Sequence, residues 1–264
     1  MQKYAEIARA YLKTQLAWRA DVFFNMLFTV TRILFAYLLW GVIFTGKDTV
    51  SGFTFHGMLS YYIVSSFLSQ LEMSERISSE IFQRIRNGTF SKYMVIPVNI
   101  QGYFMAMEAG IVLFYLAFDF LAAFVWVWVF RIEFVWVSDV RILACGALMA
   151  ILGLLFMVQL NYYLGILALK YEGIGTLLMI KNNLITLVSG SMVPLILFPE
   201  PVLQCLKLLP FYYVTYLPAM LFTGRCVEEA GKGLLLLALW CGVIQLLIHV
   251  TWRKYSRKFD GAGI

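Results

Sequence analysis

The sequence predicts an all-α integral membrane protein with six transmembrane helices, and three observations support this fold class. Of its 264 residues, 61% are hydrophobic and 14% are charged, with a mean hydropathy of +0.79, whereas soluble domains are about half apolar and about a quarter charged. The apolar residues form unbroken runs such as 109–130 and 142–169, which favour helices over the alternating strands of a membrane barrel. A crossing needs roughly 20 apolar residues, so we expect about six crossings and no separate soluble catalytic domain.

Residues 1–20 predict an amphipathic helix that lies in the membrane interface. Apolar side chains recur at helical spacing from Tyr4 to Leu16, while Lys3 and Lys13 fall outside that stripe. Such a helix buries one face among the headgroups. The basic residues are spread through the segment, unlike those of a signal peptide, so we expect the segment to remain on the mature protein.

Six apolar stretches are predicted to cross the membrane. They are Val22–Phe44, Phe53–Leu71, Gly102–Phe130, Ile142–Leu169, Thr176–Phe198 and Gly233–Trp252. Five of the six prolines lie between positions 194 and 218, and proline interrupts helices. The chain from 198 to 223 is therefore predicted to form two short helices that re-enter the outer leaflet. We expect Phe211, Tyr212, Tyr213 and Tyr216 of this re-entrant hairpin to anchor at the interface, where aromatic side chains are enriched, rather than to bind cargo.

Charge sets the predicted orientation, because short cytoplasmic loops collect Lys and Arg. With both termini inside, most of the 21 Lys and Arg residues fall on the cytoplasmic side, including those of the connection 72–99 and of the basic tail 253–264. A seventh crossing would move this tail outside. The net charge of +6 follows from this topology, so no nucleic-acid partner is predicted. We treat 1–264 as one domain whose spans fall in 22–71, 102–169, 176–223 and 233–252.

The sequence lacks the motifs of an enzyme. No GxxxxGK[ST] phosphate loop occurs, and the nearest fragment, Gly231-Lys232-Gly233, lacks the earlier glycine and the following Ser or Thr. The only two histidines, His56 and His249, fall in different predicted spans, and the four cysteines show no zinc-binding spacing. We therefore predict no catalytic, cofactor-binding or metal-binding residues on this chain.

The cytoplasmic connection 72–99 carries the most specific pattern. Ile77, Ile81 and Ile85 recur at four-residue steps, which predicts an amphipathic helix. Gly88 is suited to end that helix in the left-handed conformation. Two interpretations are open: the helix lies on the surface among the headgroups, or it is a lever that a cytoplasmic partner grips.

This order of features resembles the permease subunit of an ABC-2 type, exporter-class ABC transporter. In that family the corresponding segment has an Ile, then a Gly, then a Leu-rich stretch that closes on Pro. Here the segment reads IFQRIRNGTFSKYMVIPVN, in which Ile85, Gly88 and Pro97 match and Tyr93 and Met94 replace the usual leucines. The resemblance covers essentially the whole chain, and the loop typical of importer permeases is absent from the sequence.

The resemblance implies an ATP-driven exporter of the bacterial cytoplasmic (inner) membrane. Two permeases, identical or homologous, would form the path, and two copies of a separate ATP-binding subunit would carry ATP and Mg²⁺. The chain itself would not be an enzyme and would meet this partner through the segment 75–97. The implied ATPase-coupling residues are Glu75, Arg76, Ile77, Ile81, Arg84, Ile85, Arg86 and Gly88. The cargo would be an amphiphilic or hydrophobic drug, peptide, lipid or glycan.

An ATP-independent channel or secondary transporter is the alternative. Such folds often have two similar halves with broken helices in both, whereas the proline-rich break of this chain occurs only in its second half. A membrane-embedded enzyme would need a cluster of His, Asp or Cys near the interface, and the sequence predicts none. Recovery of a soluble ATPase together with the protein would distinguish the exporter from both.

Polar side chains inside membrane spans are costly and need a reason. Arg32 and Asp119 lie near the middle of their apolar runs, so we predict an intramembrane ion pair between them, with contact to cargo as the alternative. In the family, the first, second and fifth spans line the path. Those spans offer Asn25, Tyr37, Trp40, Tyr62, Ser65, Ser69, Asn183, Thr186, Ser189 and Met192. The same residue types also serve helix packing in lipid, so both roles are open for them.

Overall fold

A computed structural model describes residues 2–17, 19–129, 131–171, 174–191 and 194–256. These residues form helices joined by short connections, with an isolated β-bridge between Val50 and Phe53. The helices are α1 (Gln2–Ala17), α2 (Arg19–Ile43), α3 (Phe55–Leu71), α4 (Glu75–Arg86), α5 (Ser91–Met94), α6 (Ile100–Val129), α7 (Val140–Ile166), α8 (Gly175–Val188), α9 (Glu200–Leu206), α10 (Tyr216–Phe222) and α11 (Ala230–Tyr255). The all-helical prediction is confirmed.

Three helical stretches in the described part of the chain are long and apolar enough to cross a membrane. They are Ile100–Phe118, Val140–Leu169 and Val227–Tyr255, which fall on the predicted third, fourth and sixth spans. The first predicted span is covered by α2, which has 25 residues. The helices α3 and α8 have 17 and 14 residues, fewer than the roughly 20 that a crossing needs. The total of six crossings therefore stays a prediction.

The proline-rich stretch holds two short helices, as predicted. α9 and the helical stretch Pro210–Phe222 are bent by 86° relative to each other. Lys207 lies at this bend, where its Nζ is 2.7 Å from Oε1 of Glu229. If the bent pair is one span, the described residues contain up to four candidate spans.

The expectation that the hairpin tyrosines anchor at the interface is wrong. Tyr212, Tyr213 and Tyr216 are 1%, 6% and 2% exposed, because this part of the chain packs against α3 and α7. Inside the protein, the Tyr212 hydroxyl donates to Glu229 at 3.0 Å and the Tyr213 hydroxyl donates to the Lys207 carbonyl at 2.6 Å. The tyrosines are core residues whose polar ends have partners within the protein.

The helix α7 lies at the centre of the fold, because α4, α10 and α11 all pack against it. Its closest approach to α4 occurs at Gly165, where an added Cβ would lie 2.9 Å from Cβ of Ile81. That distance is shorter than an ordinary contact between carbon atoms, which is about 3.5–4.0 Å. The absence of a side chain at Gly165 therefore sets how closely α4 sits against the membrane helices.

The helix α1 forms an outer layer against the first half of α6. None of its residues is buried, and it is held at one point by the hydroxyls of Tyr11 and Tyr103, which are 2.7 Å apart. At another point the two backbones nearly touch, because a Cβ at Gly110 would lie 2.1 Å from the carbonyl oxygen of Ala8. Only a glycine permits this approach.

Candidate functional site

The helix α4 ends where its sequence predicts. Glu75 lies in its first turn and Arg84 and Arg86 lie in its last, which is the arrangement that the helix dipole favours. Gly88 adopts φ +69°, a left-handed conformation that suits glycine best. The amide of Thr89 then bonds to the carbonyl of Arg84 at 2.8 Å. The chain therefore turns sharply after a single helix of 12 residues.

The apolar face of α4 is buried inside the protein. Ile77, Ile81 and Ile85 all belong to the core, and Ile81 contacts α7 at Gly165. Burial of an isoleucine stabilises a fold by roughly 1.5–3 kcal/mol. The four-residue spacing thus marks a face packed against membrane helices, and a helix lying free among headgroups would not bury it.

Arg84 is engaged within the cytoplasmic segment itself. Its guanidinium lies 3.0 Å from Oε1 of Glu80 and 5.0 Å from the ring centre of Tyr93. The Tyr93 hydroxyl donates to the same Glu80 oxygen at 2.5 Å. Burial, followed by this interaction with Glu80, raises the pKa of Tyr93 above its ordinary value, so the hydroxyl stays protonated and keeps donating. Arg84 therefore orders the segment after α4 and is not a free charge.

The other charged residues of α4 differ in their availability. Arg76 donates from Nε to the carbonyl of Met73 at 3.2 Å, and Glu75 accepts a hydrogen bond from the side-chain amide of Asn182. Arg86 is exposed and forms no side-chain hydrogen bond or ion pair within the described residues. Among the implied coupling residues, Arg86 is the charge best placed to meet a partner.

A buried polar cluster joins α4 to α7 and α8. Asn161 of α7, which is fully buried, donates to Oγ of Ser74 at 2.7 Å. Its carbonyl oxygen accepts from Nζ of Lys181 at 2.7 Å and from Oγ of Ser78 at 3.3 Å. One amide thus links the start of α4 to both membrane helices. Separation of α4 from Asn161 would leave these buried polar groups unpaired, which is costly.

This cluster is not among the residues predicted from the sequence. Asn161 lies within the apolar run 142–169 and Lys181 lies within Thr176–Phe198, where amide and ammonium groups are expensive. That expense is the signal that could have identified them. Their partners could not have been found in the same way, because Ser74 and Ser78 look like ordinary residues of a polar connection.

Two carboxyl groups lie where α3 meets α4. Oε1 of Glu72 accepts from the amide of Ser74 at 3.1 Å, and Oε1 of Glu108, on α6, accepts from the amide of Met73 at 3.1 Å. Burial raises the pKa of Glu72, against the opposing effects of its hydrogen bond from Ser74 and the charge of Lys181. Burial at this junction therefore disfavours the charged form of the Glu72 carboxyl.

An open cavity of about 630 Å³ lies between α2, α3, α7, α8 and the residues before α10. Its lining includes Ser69, Thr186 and Ser189, three of the predicted path residues. It also includes Glu72 and Glu75, which belong to the junction with α4. The hydroxyl of Ser69 is buried and has no hydrogen-bond partner among the described residues. The cavity therefore extends from the predicted path to the first turn of α4.

Several other predicted path residues do not line this cavity. Trp40, Tyr62 and Ser65 are buried in the core, Tyr37 is partly buried, and Asn183 is exposed. Small hydroxyl residues and aromatic residues also serve helix packing, which is the role that burial favours for Trp40, Tyr62 and Ser65. The structure thus brings together only part of the predicted path.

Four further predicted residues cannot be placed. Met192, together with the side chains of Asn25, Arg32 and Asp119, lies outside the part of the chain that the structure describes. The helices that carry Arg32 and Asp119, α2 and α6, contact each other. The Arg32–Asp119 ion pair stays a prediction.

The described residues contain no group of three or more His, Cys, Asp or Glu side chains that could hold a metal ion. A family model described as an ABC-2 family transporter protein matches residues 30–263. The matched range includes α4, the polar cluster at Asn161 and most of the cavity lining. No curated protein matches the chain.

Proposed function

The chain belongs to the ABC-2 transporter family, and from that premise we propose that it is the permease subunit of an ATP-driven exporter. It is a multi-pass membrane protein of a transport family. In the proposed assembly, two permeases, identical or homologous, lie in the bacterial inner membrane with both termini of each in the cytoplasm. Two copies of a separate ATP-binding subunit, which carry ATP and Mg²⁺, bind beneath them.

The single observation that supports this proposal best is the two-sided packing of α4. One side buries Ile77, Ile81 and Ile85 against the membrane helices, while Arg86 faces outward. A helix held firmly on one side and exposed on the other can receive a displacement from a soluble partner and pass it to α7. The Asn161 cluster provides a polar connection for the same displacement.

The cavity supports the second half of the proposal, which is a path for cargo. Its volume of about 630 Å³ is within the range of small-molecule sites, roughly 300–1,000 Å³. The hydroxyls of Ser69, Thr186 and Ser189 lie beside apolar side chains in its wall, a combination that suits an amphiphilic cargo. Because the cavity reaches Glu75 of α4, displacement of α4 changes its shape.

Co-purification tests the proposal. The protein is co-expressed with ABC-type ATP-binding subunits from its own organism, and capture of one of them with ATPase activity that cargo stimulates is the expected result. Reversing the exposed charge with Arg86→Glu should weaken this association by about tenfold, because charges placed unfavourably at an interface are costly.

Lys232→Glu is the matched control, since it also reverses an exposed charge. Lys232 lies on α11, 20 residues before Trp252. Trp252 contacts Phe90 of the cytoplasmic segment, so Lys232 lies about 30 Å from that segment along the helix. Failure of every ATP-binding subunit to associate with the wild-type protein would favour an ATP-independent channel or secondary transporter. Equal association of the Arg86→Glu and Lys232→Glu proteins would contradict the role of α4.

A further inference from the structure

The cavity between α2, α3, α7 and α8 has an uneven distribution of charge. Two acidic side chains, Glu72 and Glu75, lie in its lining, and no Lys or Arg is among the described lining residues. Elsewhere the wall carries aromatic side chains, which include Phe28, Phe35 and Phe211. One end of the cavity is therefore acidic and the remainder is largely apolar or neutral.

The acidic end keeps free capacity to accept hydrogen bonds. Within the described residues, Glu72 accepts from Ser74 only through Oε1, and Glu75 accepts from Asn182 only through Oε1. The second oxygen of each carboxylate is left for another donor or cation. The buried hydroxyl of Ser69, which has no partner among these residues, adds a further polar contact in the same cavity.

Two cations lie near the carboxylates but are committed elsewhere. Lys181 donates its hydrogen bond to Asn161 at 2.7 Å, and Arg76 donates to the carbonyl of Met73 at 3.2 Å. Neither residue lines the cavity. Lys181 lessens the negative potential at Glu72 and Glu75 without lining the cavity, so the space in front of the acidic side chains stays open to a positive group.

We propose that this cavity binds organic cations with a bulky apolar body. The positive group lies against Glu72 and Glu75, and the apolar body lies against Phe28, Phe35 and Phe211, whose ring faces also attract cations. The inference rests on the proposed export function in that the bound cation is the cargo. It narrows that cargo to one charge class, because an anion of the same size would meet two acidic side chains and no Lys or Arg among the described lining residues.

Binding of probes with matched size and different charge tests this inference. The full chain is reconstituted in nanodiscs, and equilibrium dialysis measures its affinity for tetraphenylphosphonium, tetraphenylborate and neutral triphenylphosphine oxide. Uptake by empty nanodiscs of the same lipid is subtracted for each probe. The expected result is saturable binding of tetraphenylphosphonium that is at least about tenfold tighter than that of tetraphenylborate.

Substitutions then assign the selectivity to residues. Glu72→Gln combined with Glu75→Gln should weaken tetraphenylphosphonium binding roughly tenfold, since contacts with two charged groups are lost. It should leave triphenylphosphine oxide binding within about twofold of wild type. Phe35→Ala should weaken both probes alike. Glu228→Gln, which removes an exposed carboxylate outside the cavity lining, is the control and should change neither.

Three results would overturn the inference: tighter or equal binding of tetraphenylborate, wild-type affinity in the double variant, or no saturable binding of any probe. If the double variant does not fold, Glu75→Gln alone serves the test, because Glu75 is exposed and its removal leaves the core intact. If cation-selective binding is not found but an ATP-binding subunit is captured, only the proposed cargo class is refuted. Cation-selective binding without such a subunit would refute only the exporter.

Discussion

Gly165 offers a sharp test of how α4 sits against α7. A Cβ at this position would lie 2.9, 3.1 and 3.2 Å from three carbon atoms of Ile81, whereas carbon atoms in contact lie about 3.5–4.0 Å apart. The substitution Gly165→Ala therefore forces the two helices apart by roughly 0.6 Å or more. Overpacking of this kind costs about 1–3 kcal/mol.

The matched control is Gly146→Ala on the same helix. Its Cβ would lie 3.4 Å from the nearest atom, which belongs to Phe222, so no comparable displacement is needed. Both substitutions gain at most about 1 kcal/mol of helix propensity, and that gain largely cancels between them. The packing cost of about 1–3 kcal/mol should therefore appear as the difference between the two variants.

Thermal unfolding of the purified proteins measures this difference. At about 2–4 °C per kcal/mol for a chain of this size, Gly165→Ala should unfold at a temperature roughly 2–12 °C below that of Gly146→Ala. In complex with the ATP-binding subunit, Gly165→Ala should also show weaker stimulation of ATP hydrolysis by cargo. Equal unfolding temperatures for the two variants would refute the packing argument.

A double substitution ties the effect to Ile81. Ile81→Ala removes the two atoms that would lie 3.1 and 3.2 Å from the new Cβ. Its own cost, about 2–5 kcal/mol for loss of a buried isoleucine, should be smaller in the Gly165→Ala protein than in wild type. Strict additivity of the two costs would indicate that the residues do not compete for the same space.

Two further substitutions probe other close contacts. Gly110→Ala should detach α1, because the new Cβ would lie 2.1 Å from the Ala8 carbonyl oxygen. Trypsin should then cut α1 faster than in wild type or in the control Gly242→Ala, whose Cβ meets nothing within 4 Å. Equal cleavage rates in the three proteins would contradict this prediction. Burial raises the pKa of Glu72 above 4.5, so the native state holds this proton more tightly than the unfolded chain and wild-type stability falls as pH rises from about 4.5 through the raised pKa. The unfolding temperature of Glu72→Gln, relative to that of wild type, should therefore rise progressively as pH increases across that interval. The same difference between the two proteins at about pH 4 and at about pH 8 would contradict this prediction.

Local patterns predicted those parts of the protein that depend on neighbours in sequence. The four-residue spacing of Ile77, Ile81 and Ile85 gave the buried face of α4, and Gly88 gave its end. The cluster of prolines gave a pair of short, bent helices. Each of these features is determined within one or two helical turns, where propensity and periodicity carry the information.

Contacts between distant segments were not predictable in this way. The resemblance implied that Arg84 meets a partner subunit, but Arg84 pairs with Glu80 and stacks on Tyr93. Tyr93 comes beside it because the chain turns after Gly88. The tyrosine Tyr212 looked like an interfacial anchor, and its burial depends on Glu229 being within reach of its hydroxyl. In both cases the partner is supplied by tertiary folding, so the residue type alone was misleading.

The position of Glu75 has a thermodynamic consequence for the proposed assembly. Glu75 lies in the cavity, while Arg86, 11 residues later on the same 12-residue helix, lies about 16 Å away at the exposed end. In the proposed assembly, cargo and the ATP-binding subunit act on opposite ends of this helix, and any coupling free energy between two such sites is reciprocal. If the ATP-binding subunit changes the affinity of the permease for cargo by some factor, cargo changes the affinity of the permease for that subunit by the same factor. A loaded permease and an empty one would then recruit their ATPase with measurably different dissociation constants.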